Sequence, residues 1–214
     1  MEKQILQFDS SWDDGASDDV RIARLLRRHK LPGTFYIPSI CDLSALEIMM
    51  ELTEFDIGGH TVNHPEDLKL LDEGELLYEI EENKRWLESV TGKEITKFAY
   101  PGGRYNDETI KMLRKCGFTE GRTTLVLKTE ARDAFRHDTT IHVYPRREYQ
   151  ELPWIDIAKF WAKEVSQRGG YFHIWGHSAD LNRFKYWDQL DEFFGWLNDN
   201  YEIKKYENIY TNEK

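Results

Sequence analysis

Cysteine is nearly absent: Cys41 and Cys116 are the only two, far apart and outside any CxxC spacing. That excludes a disulfide framework; a single structural disulfide is not implied, and reduced thiols are the simpler reading. Long hydrophobic runs are missing as well. No stretch approaches the roughly 18 apolar residues a membrane span needs. Residues 1–8 are too polar for a signal peptide, so the expectation is a cytoplasmic protein or one whose leader has been removed. Positive charge is in short supply, with 29 Lys and Arg against 39 Asp and Glu and a net charge of −10. No basic stripe offsets this, which argues against a nucleic-acid partner. Neither an internal repeat nor a low-complexity linker divides the 214 residues, so one domain is expected.

What the chain does have is aromatic side chains and a regular alternation of elements. Seven Trp, eleven Tyr and eleven Phe suit a core or a sugar-stacking cleft. Apolar runs at residues 3–8, 34–37, 55–59, 95–100, 118–123, 141–144 and 171–175 read as seven strands. Helices are expected from Ser17-Asp18-Asp19 to His29 and from the capping box Ser44-Ala45-Leu46-Glu47, the second burying Leu46, Ile48, Met49, Met50 and Leu52. Further helices are expected over 72–91, from Asn106 to Gly117, over 153–167 and over 185–198, and residues 201–210 are read as an edge strand. Residues 124–138 carry mixed signals and are read as irregular. Strand-then-helix alternation implies a parallel sheet with helices outside: a distorted (β/α) barrel of about seven strands, or a strongly curled open sheet.

The chemistry-bearing residues all fall at C-terminal strand ends. Asp13 and Asp14 follow the first strand, His60 and His64 the third, and Tyr100-Pro101-Gly102-Gly103 the fourth. Arg122 ends the fifth strand, Arg146 follows the sixth and His177 the seventh. In a β/α barrel those ends share one face, where active sites are built. His60, His64 and one aspartate make a three-ligand set of the kind that holds catalytic Zn²⁺ and leaves a position for water. Neighbouring residues of an extended segment point apart, so one aspartate is free to act as a base toward the activated water. His177 is placed to protonate a leaving group, whereas His173, deeper in the same strand, reads as a buried, hydrogen-bonded core histidine.

At these residues the sequence resembles the polysaccharide deacetylase family, also called NodB-homology or carbohydrate esterase 4. Ser11-Trp12-Asp13-Asp14-Gly15 is similar to its first motif, and His60-Thr61-Val62-Asn63-His64-Pro65 meets its second in full. Ala99-Tyr100-Pro101-Gly102-Gly103 and Trp175-Gly176-His177 correspond to the third and fifth motifs. The resemblance implies a metal-dependent deacetylase of N- or O-acetylated sugars. Asp13 would be the base and His177 the acid. Asp14, His60 and His64 would hold the metal: zinc first, with cobalt and nickel as alternatives. Gly102 would offer an oxyanion donor, and Trp175 and Tyr100 would face the substrate. The family's third-motif arginine, which orients the base, is Ala99 here, and Arg122 and Arg146 are candidates to replace it. The fourth motif is unassigned. Two other readings stay open: a hydrolase of another small C–N amide, as in allantoinase-like relatives, and a silent carbohydrate-binding homologue.

Overall fold

The computed structural model describes residues 3–207. Its first strand, β1 (Gln4–Asp13), sets the plan of the molecule. Phe8 stacks on Phe172, which packs against Phe193 of an outer helix, so the even-numbered residues of β1 face the helical layer. Asp9, Ser11 and Asp13 alternate to the other side and are buried in the barrel interior. Both faces of the strand are therefore covered, as a parallel strand requires.

After β1 come α1 (Asp19–His29), β2 (Thr34–Ile37), α2 (Ala45–Glu47) continuing into a π-turn over Ile48–Leu52, and β3 (Asp56–Gly59). Then follow α3 (Glu73–Thr91), β4 (Lys97–Ala99), α4 (Asp107–Lys115) and β5 (Glu120–Arg122). An irregular stretch leads to β6 (Ile141–His142), α5 (Trp154–Arg168) and β7 (Phe172–Gly176). The described residues close with α6 (Ser178–Phe184), α7 (Trp187–Asn200) and β8 (Tyr201–Lys205). Seven strands run in the order β5-β4-β3-β2-β1-β7-β6, every pair parallel. This is the expected distorted (β/α) barrel. The parallel bridge Arg122↔His137 ties β5 to the irregular stretch that precedes β6, with His137 N–H donating to Gly121 O and Thr123 N–H to His137 O.

Several elements depart from the sequence reading. The predicted tail strand is real over Tyr201–Lys205 and pairs with the lower half of β1, Gln4–Phe8; residues 208–210 lie outside the described residues. The helix expected over 185–198 is α7, and α6 before it was not anticipated, because Lys185 in the left-handed conformation ends it after seven residues. The Ser44 capping box forms, but Leu46, Met49 and Met50 are exposed and only Ile48 and Leu52 are buried. Apolar residues surround that short element on all sides, so only one face can meet the core. Cys41 and Cys116 are both free. Among the described residues, no helix is long and apolar enough to cross a membrane.

Candidate metal centre and active site

β1 ends at Asp13, and the next residue turns the chain. Asp14 has φ +81, a left-handed conformation in which an aspartate is tolerated better than most residues. Its N–H is held by Tyr36 O at 3.1 Å. The turn, rather than strand alternation alone, sends the two carboxylates different ways. Asp13 is buried and its Oδ2 accepts from Nη2 of Arg122, also buried. Asp13 Oδ1, equally buried, has no hydrogen-bond partner.

Asp14 meets the histidines. Its Oδ1 lies 3.4 Å from His60 Nε2 and 3.4 Å from His64 Nε2. His60 Nδ1 lies 2.8 Å from Ala99 O, and a carbonyl only accepts, so Nδ1 carries the proton. In the neutral ring the Nε2 lone pair then faces the Asp14 carboxylate. His64, at the exposed rim of the site, is shifted toward its neutral form, first by partial burial and then by the neighbouring His60. The His60 Nε2 lone pair, a His64 ring nitrogen and an Asp14 oxygen with no hydrogen-bond partner converge within 4.8 Å of one another. That donor set fits a divalent cation better than it fits a hydrogen-bonded cluster. Burial works against ionisation of Asp14, but the His60, His177 and His64 rings outweigh it and hold the carboxyl well below the ordinary range.

The loop that carries the two histidines is fastened from behind by α3. Asn83 Oδ1 accepts from His60 N–H at 2.9 Å, while its Nδ2 donates to Ile37 O and Ser39 Oγ. Buried Glu79 accepts from the N–H groups of Val62 and Asn63 and from the Asn63 amide. Thr61 and His64 both have positive φ, so the loop is bent tightly enough to need this support. Glu79 and Asn83 were missed in the sequence. Their signal is spacing: they fall with Leu76, Ile80 and Leu87 on the buried stripe of α3, where an acid and an amide must have partners.

His177 caps α6 from the opposite side. Its Nδ1 is 2.9 Å from Asp180 Oδ2 and its Nε2 is 3.8 Å from Asp14 Oδ2. Burial would lower its pKa, but the Asp180 hydrogen bond and the Asp13 and Asp14 charges win and raise it. Trp175 is buried with Arg122 4.6 Å over its ring and His142 stacked on it at 3.8 Å. His142 was not foreseen either; burial and the His177, Arg146 and Arg122 charges keep it neutral.

Among the two arginine candidates, Arg122 meets Asp13, whereas Arg146 bonds Glu148 at 3.0 Å and His142 Nδ1 at 3.2 Å. Arg146 follows β6 and bonds His142, which pairs with Trp175 of β7 and stacks on its ring. Tyr100 corrects another expectation. Its side chain is buried, the hydroxyl donates to Phe135 O at 2.9 Å and the ring stacks on Tyr105, so it faces the core and not a substrate. Gly102, with φ +56, is exposed beside Glu66 of the histidine loop. His173 is the buried core histidine expected, with Nε2 2.8 Å from Ser11 Oγ.

YxkH of Bacillus subtilis (strain 168), named as a polysaccharide deacetylase, is 31% identical over 121 residues, which cover 53% of this chain and 43% of that protein. The chain thus matches less than half the length of that curated relative. A Mycobacterium smegmatis structure named as a polysaccharide deacetylase superposes with a TM-score of 0.72 at 16% identity, over 96% of this chain and 88% of the other. BA3943 of Bacillus anthracis, described as a CE4 family pseudoenzyme, superposes with a TM-score of 0.61 at 16% identity, over 100% of this chain and 66% of the other. At such identities the two structures speak for the fold alone. The sequence model described as polysaccharide deacetylase matches residues 3–121, which include Asp13, Asp14, His60 and His64, and the chain belongs to that family.

Proposed function

We propose that this protein is a metal-dependent hydrolase that removes an acetyl group from an N- or O-acetylated sugar. One observation carries the reading. Asp13 has one oxygen locked by Arg122 and the other buried without a partner, next in sequence to the carboxylate that His60, His64 and His177 surround. A pseudoenzyme of the same fold exists, so the fold is not enough and the weight falls on these side chains.

Asp14, His60 and His64 would hold the cation, which would activate a water and polarise the acetyl carbonyl. Asp13 Oδ1 takes a proton from the attacking water while Arg122 holds the other carboxylate oxygen and aims the group. The Gly102 N–H is the candidate donor to the developing oxyanion. The bond between the carbonyl carbon and the sugar nitrogen or oxygen breaks, and His177 supplies the proton that the leaving group needs. Acetate and the free amine or hydroxyl are the products.

The test combines zinc binding by calorimetry with acetate release from acetylated sugars. Asp13→Asn is expected to bind zinc as the wild type does and to lose turnover by about 10²–10⁴-fold. His60→Ala is expected to lose both. Loss of zinc in Asp13→Asn would reverse the division of labour between the two aspartates. Zinc binding without release of acetate from any sugar would favour the silent, carbohydrate-binding reading.

A further inference from the structure

His177 and the carboxylate that grips it are both mounted on one short element. α6 begins at Ser178, directly after His177, and carries Asp180 in its first turn. The His177 carbonyl accepts from the N–H groups of Asp180 and Leu181, so the residue that presents the ring also starts the helix. A helix of seven residues does not hold itself together in water, and α6 buries only Ser178 and Leu181. Its polar fastenings run to the start of α1. Ser178 Oγ donates to Asp19 Oδ1 at 2.6 Å, and both side chains are fully buried. The other oxygen, Asp19 Oδ2, is buried without a hydrogen-bond partner. Asn182 Nδ2 donates to Asp18 Oδ2 at 2.7 Å, and Asn182 Oδ1 accepts from Trp187 Nε1 at 2.7 Å. The guanidinium of Arg21, again from α1, lies 4.0 Å over the Trp187 ring.

We propose that Asp19 is a positioning residue for the general acid, holding His177 in place through Ser178. The inference rests on the deacetylase reading and adds a residue to its proton-delivery side. The short stretch from Asp13 to Asp19 then supplies the base, one metal ligand and the mount of the acid. That mount sets where His177 Nε2 stands relative to Asp14 Oδ2, 3.8 Å away. A hydrogen bond between two buried groups has no water competing for either partner, so the Ser178–Asp19 bond holds α6 more firmly than the exposed Asp18–Asn182 bond. Displacing a positioned group by about 1 Å costs on the order of 100-fold in rate. Here the loss falls only on substrates whose leaving group must receive a proton. A sugar amine or alkoxide needs one, whereas a nitrophenolate leaves an aryl ester as the anion.

The experiment compares zinc-loaded wild type, Ser178→Ala, Asp19→Ala and Asp19→Asn on two substrates: the acetylated sugar that wild type turns over fastest, and nitrophenyl acetate. Ser178→Ala removes a single hydroxyl and decides the matter where Asp19→Ala fails to fold. Both alanine variants are expected to lose kcat on the sugar by about 10–100-fold, with KM and zinc affinity unchanged, and to hydrolyse the aryl ester at the wild-type rate. Asp19→Asn keeps an acceptor for Ser178 and is expected to restore turnover of the sugar. An equal fall on both substrates marks a merely structural effect and overturns the proposal, as does an unchanged rate on the sugar in both alanine variants. Release of acetate from no sugar by the zinc-loaded wild type removes the deacetylase reading instead. The mount is then decided by NMR titration of the His177 ring, since a displaced ring loses the Asp13 and Asp14 charges that raise its pKa. A midpoint lowered in the alanine variants and not in Asp19→Asn sustains the proposal; one common midpoint overturns it.

Discussion

Arg122 stands directly opposite Ala99 in the β4–β5 ladder. The resemblance places the base-orienting arginine at position 99, and here the guanidinium has moved one strand sideways at the same level of the barrel. The small Ala99 side chain leaves that space to Arg122, which is wedged between the Trp175 and Tyr36 rings and reaches Asp13.

This sideways exchange is testable. Arg122→Ala strands a buried carboxylate, which costs about 3–5 kcal/mol of stability and is expected to reduce acetate release by at least about a hundredfold. Adding Ala99→Arg in that background returns a guanidinium from the neighbouring strand and is expected to recover most of both losses. Urea unfolding and turnover on the same samples check it; a single variant as stable and active as wild type removes the pair from the account.

Support from α3 is separable from ligation. Glu79→Gln and Asn83→Ala leave Asp14, His60 and His64 in place but loosen the loop between them. Zinc affinity is expected to fall about 10–100-fold, with the fold retained by circular dichroism. Unchanged zinc affinity in both variants would show that the loop holds itself.

Asp180 raises the pKa of His177 by accepting from Nδ1. A general acid works only while protonated, so a raised pKa extends activity to higher pH. Asp180→Asn is therefore expected to move the alkaline limb of the pH–rate profile toward lower pH, with the acidic limb unmoved. Titration of the His177 ring by NMR reports the same displacement directly.

Two buried groups give stability opposite dependences on pH. Burial pushes the Asp19 carboxyl up to about 8, with a Ser178 hydrogen bond opposing the rise. The native state thus binds a proton that the unfolded chain releases near 3.8, and the stability this confers is lost as pH rises through about 8. Asp19→Asn keeps the acceptor for Ser178 and is expected to unfold at higher urea than wild type at pH 8.5 but not at pH 4. His137 behaves inversely: burial lowers it to about 3, so stability is lost as pH falls from 6.5 toward that value. His137→Phe is expected to flatten that acid limb.

Much of this was legible in the sequence because short signals carried it. The HxxxH pair after the third strand is visible in the residues themselves, whereas the first strand, expected over 3–8, runs on to Asp13 and sends Asp9, Ser11 and Asp13 inward. What escaped was decided by facing and by long-range contact. Tyr100 sits at a strand end like its neighbours, but its hydroxyl is claimed by Phe135, 35 residues away. Glu79 and Asn83 lie in a helix that reads as an apolar stripe, and only the folded loop reveals what they bind. Whether Arg122 or Arg146 reaches Asp13 depends on which strand neighbours which, and spacing along the chain does not encode that.

The pairing of β8 with β1 has a bearing on how this site comes into being. β1, which carries Asp13 and leads into Asp14, is made before every other described element, yet its lower half gains its partner Tyr201–Lys205 only some two hundred residues later. Until then Gln4–Phe8 is an open edge, able to recruit any passing strand. Asp13 is thus mounted on, and Asp14 follows, a strand whose pairing waits for the last described element, and shortening the chain before residue 201 strikes the candidate site from the far side of the barrel.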